Sequence, residues 1–173
     1  MRRLGLRRRA LAAVALTASV AGVLVGAPAS ASATGGAGSG CVVFKHLTET
    51  VLNATYNDAL PTGYSLGDSG SWHNQLTDRN GKVVADVVGA SHVLFQTGDE
   101  LWTEQDNTDT LADGGVVRSV GVTSVTDLVA GKRQTLKAWG LTGKYEGMIG
   151  ERSFRLTDVE DVYESSLRLC PRR

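Results

Sequence analysis

The only cysteines of the 173-residue chain, Cys41 and Cys170, stand far apart, one well after the start and one near the end. Joining them would force the first and last structured segments to lie side by side. A sheet that wraps round until its two edges meet satisfies that demand. Closing so long a loop removes about 4–5 kcal/mol of unfolded-chain entropy in the loop-closure account. Two cysteines can instead hold a metal, but no further ligands accompany this pair.

The bond requires an oxidising compartment, and the start of the chain supplies the route to one. Arg2, Arg3, Arg7, Arg8 and Arg9 precede a small-apolar run over 10–26, which ends in Ala-Pro-Ala-Ser-Ala-Ser-Ala at 27–33. This is the charged, apolar and small-residue order of a secretory signal, expected to span residues 1–33 and to be cleaved after Ala33 or Ala31. A flexible Gly-rich stretch over 34–40 then leads into one domain over 41–173, outside the cell. Loss of the signal leaves 13 basic against 18 acidic residues, a net charge of −5. That balance argues against nucleic acid or an anionic membrane as partner, since both select clustered positive charge.

No window after residue 40 repeats apolar residues at helical spacing over three turns, whereas β-branched residues and two-residue alternation recur throughout. Strands are expected over 42–53, 71–78, 82–96, 100–108, 115–127, 133–140 and 151–169, the last broken near Asp158 to Asp161. Turn sequences such as Asp78-Arg79-Asn80-Gly81 and Ala112-Asp113-Gly114-Gly115 fall between them. Short strands joined by tight turns point to an antiparallel sandwich or an up-and-down barrel.

Side chains alternate across a strand, so the faces can be sorted. Val83, Ala85, Val87, Gly89, Ser91, Val93 and Phe95 share the expected interior face of one strand; Trp72, Asn74 and Leu76 share that of its hairpin partner. Near the end, Tyr163, Ser165, Leu167 and Leu169 lie together. Alternation alone leaves two readings open: a lumen that holds a ligand through a few polar groups, or a packed core with those groups internally satisfied.

Two motifs carry a resemblance. Ser65 to Thr77 (Ser-Leu-Gly-Asp-Ser-Gly-Ser-Trp-His-Asn-Gln-Leu-Thr) resembles the entry to the second barrel strand of allene oxide cyclases, where a Leu-Gly-Asp turn precedes an aromatic residue and an Asn. Gly140 to Glu151, with Gly140, Gly143, Gly147 and Gly150, resembles the Gly-rich segment shared by allene oxide cyclases, dirigent proteins and bacterial natural-product cyclases. The resemblance implies an all-β fold: a closed antiparallel calycin-like barrel of about eight strands. The glycines themselves read as positions of positive φ or close backbone approach. A phosphate loop is the rival, but neither a following helix nor a Lys-Ser/Thr pair accompanies them.

Carried over residue by residue, the resemblance makes Asn74 the Asn that holds the reacting oxygen through a water and Trp72 the aromatic before it. Glu49 falls near the first-strand carboxylate, and Ser91 stands where the plant enzymes have a Cys. Glu49 and Asn74 are thus the candidate catalytic residues, and Trp72, Ser91, Phe95 and Tyr163 the candidate substrate-binding ones. On its own sequence context Glu49 reads first as a solvated edge charge.

The partner implied is a small apolar molecule, with no cofactor, and related barrels assemble as homodimers or homotrimers. Two function classes stay open: an isomerase that cyclises a substrate by conformational control, and a non-catalytic dirigent-like guide, carrier or interaction module. An open cavity with a carboxylate in reach of Asn74 favours the first. A lumen plugged by Trp72, Phe95 and Tyr163 favours the second.

Other constellations are weaker. His46, His73 and His92 lack metal-site spacing, so no metal is expected. Asp68-Ser69-Gly70-Ser71 is not a nucleophile elbow. The acidic residues Asp99, Glu100, Glu104, Asp106, Asp109 and Asp113 miss the spacing of a calcium loop and read as a solvated face. Asn53-Ala54-Thr55 is a glycosylation sequon.

Overall fold

Eight strands form where the alternation is regular: β1 (Val42–Asn57), β2 (Ser69–Thr77), β3 (Val83–Thr97), β4 (Glu100–Leu111), β5 (Val116–Ser124), β6 (Gln134–Gly140), β7 (Met148–Leu156) and β8 (Val162–Pro171). The computed structural model describes residues 40–63, 65–98 and 100–172. The expected export signal lies outside them, as does all but Gly40 of the Gly-rich start. Each strand pairs antiparallel with the next, and β8 pairs back onto β1, which closes the barrel. Cys41 and Cys170 are disulfide-bonded where the first and last strands meet.

The strand expected over 115–127 stops at Ser124, and a short helix α1 (Val125–Val129) follows. Ser124 turns the chain by capping it, its hydroxyl accepting from the Asp127 amide at 3.1 Å. The break expected near Asp158 to Asp161 is present, the chain turning between Leu156 and Val162, and the strand before it, β7, begins earlier than expected, at Met148.

Bulges decide which side chains enter the lumen. In β1 the register against β8 shifts between Phe44 and Leu47, where His46 has a φ of 55°. The extra residue moves the inward set from Phe44 to Leu47 and Glu49. In β3 the register against β4 shifts between Val93 and Phe95, so Phe95 pairs with Trp102 and turns outward. The interior position expected for Phe95 is therefore wrong: it is 46% exposed and stacks on Trp102, with ring centroids 5.9 Å apart. Val83, expected on the same face, is exposed as well, because the register against β2 shifts between Leu76 and Thr77 and Val84 is buried in its place.

The interior is layered along the barrel axis. At the end holding the start of β1 and the end of β8, an apolar cluster that includes Leu47, Leu76, Val87, Val117, Leu167 and Leu169 fills the lumen. Tyr145, on the 3₁₀ turn Gly143–Tyr145, packs into this cluster and donates its hydroxyl to Asp113 at 2.9 Å. The Gly-rich segment permits this in two ways. Gly143 and Gly147 take positive φ, while a Cβ on Gly140 would lie 1.8 Å from the Tyr145 carbonyl oxygen and one on Gly150 1.7 Å from that of Arg168. Toward the other end the filling gives way to polar groups and then to a cavity.

Candidate functional site

Alternation on β1, β2, β4, β7 and β8 delivers Glu49, Asn74, Asp109, Arg152 and Ser165 to the middle of the lumen, all buried. Arg152 Nη2 donates to Glu49 Oε1 at 2.8 Å, and Arg152 Nε donates to Asp109 Oδ2 at 3.2 Å. Asn74 Nδ2 also donates to Glu49 Oε1 at 2.8 Å, and the Ser165 hydroxyl donates to Glu49 Oε2. The carboxylate of Glu49, only 3% exposed, thus has both oxygens engaged.

The electrostatics separate the two acids. Burial pushes the Glu49 carboxyl up, but Arg152, Ser165 and Asn74 more than offset this and hold it below its ordinary value. Burial also pushes Asp109 up, and there Arg152 compensates less while the Glu49 charge adds to the rise. Arg152 is destabilised as a cation by burial, yet the two carboxylates hold its pKa above the ordinary guanidinium value. One cation between two buried carboxylates favours one firmly ionised acid and one reluctant one.

Beyond this ionic layer lies a cavity of about 340 Å3, near the lower end of the roughly 300–1,000 Å3 typical of small-molecule sites. Glu49, Asn74 and Arg152 line it together with Val51, Ala54, Trp72, Ser91, Asn107, Phe154, Tyr163 and residues of α1. Trp72 lies over Gly89, where a Cβ would come within 2.4 Å of the indole. That bare backbone lets the indole N–H donate to Asn107 Oδ1 at 3.1 Å. A second concavity, of about 400 Å3, sits on the outer side of β6–β8 beside Lys137, Trp139, Ile149 and Arg168.

Five of the six side chains singled out from sequence, Glu49, Asn74, Trp72, Ser91 and Tyr163, therefore border one cavity, and Phe95 does not. Arg152, Asn107 and Asp109 escaped the sequence reading. Asp109 was expected in solvent; it is 0% exposed. The missed signal for Arg152 was parity, since Met148, Gly150, Arg152 and Phe154 share one face of β7 and Arg152 is its only charge.

Residues 48–169 match the family described as the allene oxide cyclase barrel like domain. Among solved structures, the Diels–Alderase AbmU from Streptomyces koyangensis aligns with a TM-score of 0.71 at 26% identity, covering 76% of this chain and 64% of that one. AbnU, an exo-specific intermolecular Diels–Alderase, aligns with a TM-score of 0.68 at 22% identity, over 75% of this chain and 96% of that one. A pterocarpan synthase dirigent protein aligns with a TM-score of 0.58 at 13% identity, over 77% and 96%. The last two likenesses speak to fold alone. Comparison with curated proteins gives no match.

Proposed function

The chain belongs to the allene oxide cyclase barrel like family, and from that premise we propose that its lumen takes up a small molecule with an apolar body and steers that molecule's cyclisation or isomerisation. The observation that carries this is the cavity of about 340 Å3 whose floor joins Glu49, Asn74 and Arg152. A pocket of that size restricts the conformers of a flexible guest, and ring closure gains from the orientation imposed. An intramolecular closure conserves every atom, so such a site needs little beyond shape and fixed charge.

In this reading Asn74 touches the reacting unit, and Glu49 holds the Asn74 amide in one orientation. Glu49 serves as a fixed carboxylate rather than a proton donor, since three groups donate to it and its pKa is lowered. Trp72, Ser91 and Tyr163 shape the guest. Phe95 has no part, because it faces outward. We assign the protein to an extracellular setting, supported by the leader composition and by the Cys41–Cys170 bond.

One observation favours the second class, a dirigent-like guide or carrier: both Glu49 oxygens are already engaged, which leaves no free acid at the floor. The two are separated by soaking the purified protein with apolar secondary metabolites, following Trp fluorescence and analysing the recovered compounds. Altered product in the recovered fraction supports the isomerase, and unaltered bound compound supports the guide or carrier. Absence of both binding and conversion overturns the proposal.

A further inference from the structure

We infer that the guest of this lumen is amphipathic rather than wholly apolar, with a carbonyl-type acceptor read by Asn107 and a hydroxyl- or amine-type donor read by Asn74. The inference rests on the lumen being the ligand site, as proposed above. Both amides are held in a single orientation by a neighbour of fixed polarity. Asn74 Nδ2 donates to Glu49 Oε1, and an ionised carboxylate only accepts. The Asn74 amide therefore cannot flip, and it offers Oδ1, an acceptor. Asn107 Oδ1 accepts from the Trp72 indole, which only donates. Asn107 is locked the opposite way and offers Nδ2, a donor.

Both residues border the cavity. Both are more than nine-tenths buried, and neither Asn74 Oδ1 nor Asn107 Nδ2 has a hydrogen-bond partner among the described residues. A buried polar atom left unpaired is costly, so two of them, of opposite polarity and fixed orientation, select a guest that pairs both. The surrounding wall agrees. β4 presents Thr103, Gln105 and Asn107 in succession to the cavity, and Val51, Ala54 and Phe154 add apolar surface among the polar Glu49, Thr55 and Arg152. The lumen thus mixes hydrogen-bonding groups with apolar wall. The expectation of an apolar guest caught only the latter.

The test is a matched series on the intact, disulfide-closed protein: raspberry ketone, benzylacetone, para-butylphenol and butylbenzene, compared by calorimetry or by competition. They share a phenyl ring and a four-carbon chain and carry, in turn, a ketone and a hydroxyl, the ketone alone, the hydroxyl alone, and neither. Apolar transfer by itself ranks butylbenzene tightest. We expect the reverse, with raspberry ketone tighter than butylbenzene by about ten-fold or more and the single-function compounds between. Asn107→Leu should erase the advantage of benzylacetone over butylbenzene and leave that of para-butylphenol. The series in the unaltered protein decides the matter even if that variant fails to fold. If butylbenzene is not the weakest of the four, the amphipathic inference falls and the lumen reading stands. If none of the four binds, the lumen reading falls and takes this inference with it.

Discussion

Arg152 reaches Glu49 at 2.8 Å across the lumen, although 103 residues separate them in the chain. The contact spans β8, the strand between β7 and β1, and can form only when the barrel has closed. It divides the interior into a filled apolar half and a half that holds the cavity.

Replacing Arg152 with Met should therefore cost about 3–5 kcal/mol at neutral pH, because it leaves two buried carboxylates uncompensated. Both acids would then have folded-state pKa values raised above the ordinary 4.5 of Glu49 and 3.8 of Asp109. A raised acid loses stability as pH climbs from its unfolded value toward its folded one. The deficit relative to wild type should thus shrink as pH falls from neutral toward those ordinary values, as followed by urea unfolding at several pH values. A deficit independent of pH would contradict the ionic layer.

Asp109→Asn probes the reluctant acid alone. In the wild type the raised Asp109 carboxyl erodes stability as pH rises above 3.8. The lowered Glu49 acts in the opposite sense, losing its contribution as pH falls from 4.5 toward its folded value. The stability of the Asn variant relative to wild type should increase with pH above 3.8, by at most about 1.4 kcal/mol per pH unit. A flat or falling difference would show that Asp109 is an ordinary ionised partner of Arg152.

Gly89→Ala should disturb the cavity wall directly. Its Cβ would stand 2.2 Å from Asn107 Oδ1 and 2.4 Å from the Trp72 indole, so one of them must move. Overpacking of this kind costs about 1–3 kcal/mol. The variant should also show altered Trp emission, whereas an unchanged spectrum and stability would mean that Trp72 does not lie over β3.

Reduction of the Cys41–Cys170 bond should lower stability by about 4–5 kcal/mol, since it opens a loop of 129 residues. Denaturant midpoints with and without reductant measure this. An unchanged midpoint would mean that the barrel seam holds without the covalent tie.

Much of the barrel was readable because strand parity is a local property. Trp72, Asn74 and Leu76 on β2, and Ser165, Leu167 and Leu169 on β8, face where alternation sends them. Parity fails at bulges, which shift the register without leaving a mark in hydropathy. One bulge carried Phe95 out of the lumen, and another, at His46, turned Glu49 into it. On β4 both faces are polar, with Thr103, Gln105, Asn107 and Asp109 alternating with Glu104, Asp106 and Thr108, so no contrast existed to read. The burial of Asp109 depends on Arg152, which comes from a strand far along the chain.

The most direct test of the central claim, that the lumen is where small molecules bind, uses the three tryptophans as reporters. Each indole N–H gives its own nitrogen-proton NMR signal. Trp72 borders the lumen, Trp102 stacks on Phe95 outside it, and Trp139 borders the outer concavity of β6–β8. On titration with raspberry ketone, the Trp72 signal should shift while those of Trp102 and Trp139 stay in place. A shift at Trp139 with Trp72 unmoved would put the ligand on the outer face and contradict the claim.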